Sequence, residues 1–180
     1  MNFCSHCGSN QLDCKVPAGD HVARYVCQVC GTVHYVNPKM VVGCLVVHEE
    51  RVLLCRRAIE PRYGFWNLPT GFLESGETVE EGAIRETWEE ARARVKVERL
   101  HSVYSLPHCD QIIIHFVAQL QETGIEAGPE SLEVNFFAET EIPWDDMAFS
   151  SHRFALERYF ENRLKPDKQT YLGSSCLRTS

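Results

Sequence analysis

The stretch "GFLESGETVEEGAIRETWEEARAR", residues 71–94, constrains the fold more than any other. It sets seven glutamates and three arginines around a helical apolar pattern. Thr78 followed by Glu81 has the spacing of a capping box, in which hydroxyl and carboxylate each satisfy a backbone N–H at a helix start. A helix starting at Thr78 turns by about 100° per residue. Val79, Ala83, Thr87 and Ala91 then gather on one side and can cover a sheet. Glu86, Glu89 and Glu90 share a separate arc, with Gly82 and Ala93 beside them. Glu81–Arg85 and Arg85–Glu89 are favourable i,i+4 pairs worth about 0.2–0.5 kcal/mol each. A solvated surface helix accounts for those pairs. It does not account for the like-charge pair Glu86–Glu90, nor for Gly82, which costs about 1 kcal/mol relative to alanine inside a helix. A hard divalent cation resolves both, because it takes carboxylate oxygens, and Gly82 then reads as clearance for metal or phosphate.

The second constraint is cysteine spacing. Cys4, Cys7, Cys27 and Cys30 form two C-x2-C pairs, "CSHC" and "CQVC", a pattern that reads as a tetrahedral zinc ribbon. Gly8 and Gly31 follow the pairs and allow the tight turn under a metal. Disulfides or free thiols are the alternative, disfavoured by the paired spacing and a reducing compartment. Four cysteines close the shell, so this zinc is structural. Cys44 and Cys55 lie in strand-like apolar runs, as buried free thiols do; Cys14, Cys109 and Cys176 are scattered.

Along the chain, residues 1–37 make the ribbon, with short strands in "HVARYVC" and "TVHYV". "NPK" at 37–39 is the turn-like junction. Residues 38–164 read as the main domain: strand, polar turn and strand in "MVVGCLVVHEERVLLCRR", then loop, helix, three more strands and a closing helix at "SHRFALERYFENRL". Residues 165–180 read as a polar tail. Strands flanking a helix, with a second helix at the end, predict an α/β fold with helices on a mixed sheet.

The 71–93 segment resembles the Nudix box, G-x5-E-x7-R-E-U-x-E-E-x-G-U, with U a bulky apolar residue. Gly71, Glu77, Arg85, Glu86, Glu89 and Glu90 match at the right spacings. Thr87 stands where an apolar residue is usual, Arg92 where glycine is usual, and Ala93 is a small final residue. With arginine at the bend position, the helix is expected to run on. "VLLCRR", "GFWNLPTGFLE", "GPESLEVNFFAETEIPWDDMAFSS" and the leading cysteines extend the likeness to the zinc-ribbon Nudix hydrolases that act as FAD or ADP-ribose pyrophosphatases. That resemblance implies a Nudix α/β/α sandwich with a mixed β-sheet, preceded by a small N-terminal zinc ribbon. It also implies a Mg²⁺- or Mn²⁺-dependent hydrolase that cleaves a nucleoside diphosphate derivative with metal-activated water. The related NADH pyrophosphatases rank second, since this chain has "YSLPHCDQIIIHF" where they carry a Ser-Gln-Pro-Trp-Pro-Phe-Pro stretch.

The resemblance carries roles onto particular residues. Glu86 and Glu90 are the expected metal ligands, Glu89 a ligand or its neighbour, and the backbone near Thr70 and Gly71 completes the set. Arg85 pairs with Glu77 and orients the helix face. The general base is Glu86 or a glutamate of "GPESLEV", Glu130 or Glu133, with Glu133 preferred. Arg56 and Arg57 are phosphate-binding candidates; alternation along a strand puts them on opposite faces, so one serves. Trp66 can stack on a base or pack in the core.

Net charge is −7, which gives no long-range attraction to nucleic acid or anionic membrane. No apolar run is long enough to span a bilayer and the N-terminus has no secretory pattern, so the cytoplasm is expected. The expected partner is a small nucleotide, with no stable nucleic-acid complex; a homodimer is expected by analogy with related pyrophosphatases. A rival of another class is a ribbon module that binds RNA or protein beside an inert Nudix fold. Against it stand the complete carboxylate set and the lack of a basic cluster in the ribbon.

Overall fold

The computed structural model describes residues 1–165 and 169–175; Cys176 lies outside the described residues. The chain divides into two units, Met1–Asn37 and Pro38–Ser180. In the first, β1 (Leu12–Lys15), β2 (Arg24–Cys27) and β3 (Val33–His34) form a small antiparallel sheet in that order. The strand β1 is a polar addition to the two predicted from alternation. Little apolar surface is buried here beyond Cys4 and Cys27.

The second unit follows the apolar patterning closely. Its strands are β4 (Lys39–His48), β5 (Arg51–Arg57), β6 (Trp66–Asn67), β7 (Thr70–Phe72), β8 (Val95–Leu106), β9 (Gln111–Leu120), β10 (Ser131–Phe137) and β11 (Tyr171–Ser174). The helices are α1 (Val79–Ala91) and α2 (Ser150–Asn162). The sheet order is β10-β5-β4-β9-β8-β11, with β6 beside β5 and β7 beside β4. β4 runs parallel to β9 and β8 parallel to β11, while the other pairs are antiparallel, so the sheet is mixed.

Strand β4 shows why two helix layers are needed. Val42, Cys44 and Val46 join the cluster with Ala83 and Ala91 of α1. Leu45 and Val47 join a second cluster with Ala155, Leu156 and Phe160 of α2. A strand covered on both faces must be apolar throughout, which is the continuous run "MVVGCLVV" rather than an alternation. Thr87 enters this core because its hydroxyl donates to the Ala83 carbonyl one turn back, 2.7 Å away.

Three expectations are corrected. The helix does not run on past Arg92: α1 stops at Ala91, and Arg92 takes the left-handed conformation, φ 51° and ψ 21°. Its N–H still donates to the Trp88 carbonyl, so the bend is made without glycine. Gly82 is not clearance for a ligand. A Cβ there would meet Leu73 Cδ1 at 2.7 Å and Val42 Cγ2 at 2.9 Å, so the missing side chain lets α1 press onto β4 and the preceding loop. The polar segment after residue 164 is not only a tail, since β11 pairs with β8 from Ser102 to Ser105.

Candidate functional site

In the N-terminal unit the sulfurs of Cys4, Cys7, Cys27 and Cys30 all lie within 4.8 Å of one another. Cys4 to Cys30 is 3.7 Å and Cys7 to Cys27 is 3.6 Å. Four sulfurs at about 2.3 Å from a central tetrahedral ion stand about 3.8 Å apart, so the set fits zinc. These cysteines are free thiols, not disulfides. Hydrogen bonds from Thr32 lower the Cys30 thiol, while burial and the neighbouring sulfurs raise Cys7, so the thiols titrate as a set rather than one by one.

The second site is built on α1. The capping box at Thr78 and Glu81 closes as expected: the Glu81 N–H donates to Thr78 Oγ1 at 3.2 Å, and the Thr78 N–H to the Glu81 carboxylate at 2.8 Å. This start fixes the rotation that carries Glu86, Glu89 and Glu90 into a cavity of about 690 Å³. Thr70, Gly71 and Arg57 line the same cavity. Gly71 lies close under this face: a Cβ there would fall 2.2 Å from Glu86 Oε2 in its present position. The backbone of β7 therefore lies directly against that carboxylate.

Arg85 is the brace. Its guanidinium donates to both oxygens of Glu77 at 2.6 and 3.0 Å, and to the Phe72 carbonyl at 3.0 Å. It also reaches Glu86 Oε1 at 2.6 Å and Glu89 Oε2 at 3.3 Å. The bidentate Glu77 pair ties the loop before the helix to the helix itself. Arg85 thereby holds two of the three carboxylates.

The three carboxylates differ in environment. Glu90 is buried at 6% exposure, and burial pushes its carboxyl up to about 8. Asn67 Nδ2 at 3.2 Å and the Thr70 N–H at 3.4 Å oppose that shift by stabilising the anion. Burial also raises Glu86, against the pull of Arg85, and the charges of Glu89 and Glu130 add to the rise. Glu89 is the exposed member, its side chain 54% accessible. Two partly desolvated carboxylates of like charge beside a third are oxygen donors suited to a hard divalent cation.

The structure separates the remaining candidates. Arg57 is buried, donates from Nε to the Pro61 carbonyl at 2.9 Å, and lies over the Phe149 ring in the cavity wall. Arg56 points the other way. It is exposed, donates to the Gly64 carbonyl and pairs with Glu133 at 3.7 Å. Glu133 is the cross-strand partner of Arg56, and directly opposed residues share a sheet face. Glu133 thus lies on the Arg56 side and is not among the residues lining the cavity. Glu130, in the loop before β10, lines the cavity instead. Trp66 is also outside the cavity: it meets Phe137 edge to face at 4.9 Å and packs on the α2-side core.

Two residues escaped the sequence reading. The first is His152 of α2, which lines the cavity. Its Nδ1 accepts from the Leu68 N–H at 3.2 Å, which leaves the proton on Nε2 to be donated to Thr70 Oγ1 at 3.2 Å. Thr70 in turn donates to the Leu68 carbonyl at 3.0 Å. Burial, with Arg57 nearby, pushes His152 down to about 3, so the ring is neutral. It clamps the segment leading into Gly71. A lone histidine at a helix start carries no sequence signal for that role. The second is Gly128, where a Cβ would fall 1.7 Å from the Glu89 carbonyl oxygen. Its N–H donates to the Glu90 carbonyl at 2.9 Å, which holds the Glu130 loop against the end of α1. "AGPES" marked a turn, but not its partner.

Residues 37–159 match the family described as the NUDIX domain, and residues 2–36 match its zinc ribbon, described as Nudix N-terminal. An ADP-ribose pyrophosphatase of Methanocaldococcus jannaschii is 35% identical over 113 residues, 61% of this chain and 67% of that protein. A protein of Chromobacterium violaceum named NAD-capped RNA hydrolase NudC is 34% identical over 134 residues, 73% of this chain and 47% of that protein. This chain thus aligns with about half the length of the NudC relative. The crystal structure of a NUDIX hydrolase from Nitrosomonas europaea superposes with TM-score 0.92 at 48% identity, covering 97% of this chain and 99% of that one.

Proposed function

The chain belongs to the Nudix hydrolase family, and from that premise we propose that it hydrolyses the diphosphate bond of a nucleoside diphosphate derivative of the ADP-ribose or FAD type. The observation that carries this reading is the α1 face. Glu86, Glu89 and Glu90 reach one cavity, Arg85 braces two of them, and Arg57 supplies a buried cation in the same cavity.

Glu86 and Glu90 would hold Mg²⁺ or Mn²⁺, with Glu89 and the Thr70–Gly71 backbone alongside. Such an ion neutralises diphosphate charge and acidifies bound water. The protein's own part is positional. Asn67 and the Thr70 N–H fix the Glu90 carboxylate, and Arg85 holds Glu86. Arg57, with its Nε anchored on Pro61, presents its remaining N–H donors to a phosphate. Glu130 is the proposed base in place of Glu133, taking a proton from water at the cavity mouth; Glu86 is the other candidate. In the ribbon, Zn²⁺ on the four cysteines supplies stability that so small a core does not.

The archaeal relative's name supports ADP-ribose as a substrate. The NudC relatives favour a second reading, in which the substrate is a nicotinamide dinucleotide, free or capping RNA. The proposed setting is the cytoplasm and the proposed state a homodimer. Among the described residues no helix is long and apolar enough to cross a membrane.

A panel of ADP-ribose, FAD, NADH and NAD-capped RNA, assayed with Mg²⁺ and Mn²⁺, tests the assignment. Cleavage of ADP-ribose or FAD to two monophosphates is expected, with Glu86→Gln lowering kcat/KM by about a thousandfold or more. Turnover by that variant at the wild-type rate would remove the carboxylate face from the mechanism.

A further inference from the structure

Arg92 is the residue in the 71–93 segment that neither the fold nor the proposed chemistry requires. It occupies the left-handed region at φ 51°, a conformation glycine adopts more readily. The helix end itself needs only the backbone, through the bond from the Arg92 N–H to the Trp88 carbonyl. Arg92 is among the residues lining the cavity, with Glu89 and Glu130. Among the described residues its guanidinium makes no hydrogen bond or ion pair. Its recorded contact is the half-exposed Trp88 ring, 5.6 Å from the guanidinium carbon to the ring centroid. Arg94 stacks on the same ring at 5.3 Å and also pairs with Glu122 at 3.5 Å. Trp88 therefore does not need Arg92 to cover it, while it does restrict where the Arg92 arm can lie.

Three arginines, Arg57, Arg85 and Arg92, line the cavity. Arg85 is fully engaged by Glu77, Glu86, Glu89 and the Phe72 carbonyl. Arg57 offers its outer N–H groups from β5. Arg92 adds a further arginine at the cavity's margin, at the end of α1, its guanidinium resting over Trp88, which is not part of the lining. The Glu126 and Gly128 N–H groups bond to the carbonyls of Ala91 and Glu90, so the loop carrying Glu130 is fixed beside it. A diphosphate carries charge on two phosphorus centres, and one arginine reaches only one of them in bidentate fashion.

We propose that Arg92 is a specificity-determining residue that holds the substrate phosphate not gripped by Arg57, so that the cavity selects nucleoside diphosphate derivatives over monophosphates. The inference rests on the proposed pyrophosphatase reading. A strained arginine stands where a relaxed glycine suffices because its charge is used in binding.

The test needs no damaged fold. Arg92→Gly and Arg92→Asn remove the charge and suit the left-handed backbone, so both are expected to melt at or above the wild-type temperature. With ADP-ribose and Mg²⁺, KM should rise about 10- to 100-fold, as for loss of a charge-assisted hydrogen bond, with kcat within about threefold. The Kd of ADP-ribose by calorimetry should weaken in parallel, and the Kd of AMP should change less. Arg92→Lys should recover part of both losses. Unchanged KM and Kd in the glycine and asparagine variants would overturn the proposal. So would a fall in kcat that tracks a fall in melting temperature, which would mark a structural role. If the wild type binds ADP-ribose and hydrolyses no diphosphate, the pyrophosphatase reading fails, while the Kd comparison still decides the role of Arg92.

Discussion

The four cysteines of the ribbon and the three glutamates proposed to hold a divalent ion are assembled in opposite ways. The four thiols of the ribbon already converge within 4.8 Å, and their spacing defines the coordination shell without help. The glutamates of α1 are held from outside: Glu90 by Asn67 and Thr70, Glu86 and Glu89 by Arg85. The first arrangement is closed and suits a metal whose task is to hold a fold. The second leaves room for a substrate and depends on neighbours that are not ligands. Structural sites carry their geometry in the ligands; sites for chemistry carry it in the surrounding residues.

The largest expected effect breaks the first site. Cys27→Ser should take bound zinc, measured by elemental analysis, from one ion per chain to none. Residues 1–37 should then lose amide-exchange protection while the second unit keeps it, because zinc binding is worth about 10–16 kcal/mol in small zinc modules. Protected ribbon amides in that variant would mean the small sheet stands on its own, and the contrast would fall.

A smaller effect probes the second site, with a sign opposite to the usual loss. Glu90 has a folded-state value of about 8, above its ordinary 4.5. In the metal-free protein its stabilising contribution is complete below about pH 4.5 and is lost as pH rises through 8. Glu90→Gln never carries that buried charge. The metal-free variant should therefore exceed wild-type stability above pH 8 by on the order of a few kcal/mol and match it near pH 4.5, by urea titration. It should at the same time be nearly inactive. Lower stability than wild type at pH 9 would show that the carboxylate is not strained by its surroundings.

The smallest effect tests the bracing. Arg85→Lys keeps the charge and loses the bidentate fork to Glu77. Activity should fall about 10- to 100-fold with weaker Mg²⁺ binding, while zinc content stays at one. Unaltered Mg²⁺ affinity would leave Arg85 as a surface partner only.

Much of this was legible in the sequence, and the failures share a cause. The capping box, the sheet-facing stripe of α1 and the cysteine set are local patterns, fixed by spacings of a few residues. Arg57 over Arg56 required knowing which face of β5 meets the cavity. That Glu130 rather than Glu133 lines the cavity required the same knowledge for β10, where the register shifts between Ser131 and Glu133. Gly82 looked like a gap for a ligand because the residues that fill it, Val42 and Leu73, come from elsewhere in the chain. His152 acts across 82 residues on Thr70, and no periodicity reaches that far. Arg92 showed the reverse: the departure from pattern was visible, but the backbone absorbed it and kept the bend.

The short strand β11 has a further consequence, for the behaviour of shortened forms of the chain. It lies along β8, a strand of 12 residues, and is itself only 4 residues long. Without it, the Ser102–Ser105 stretch of β8 would present unpaired backbone donors and acceptors on the rim of the sheet, a ready template for another molecule's strand. Trimming the chain back to the end of α2, as its polar composition invites, would therefore leave the cavity beside α1 intact and is expected to make the protein prone to self-association. The last strand works as a guard against aggregation.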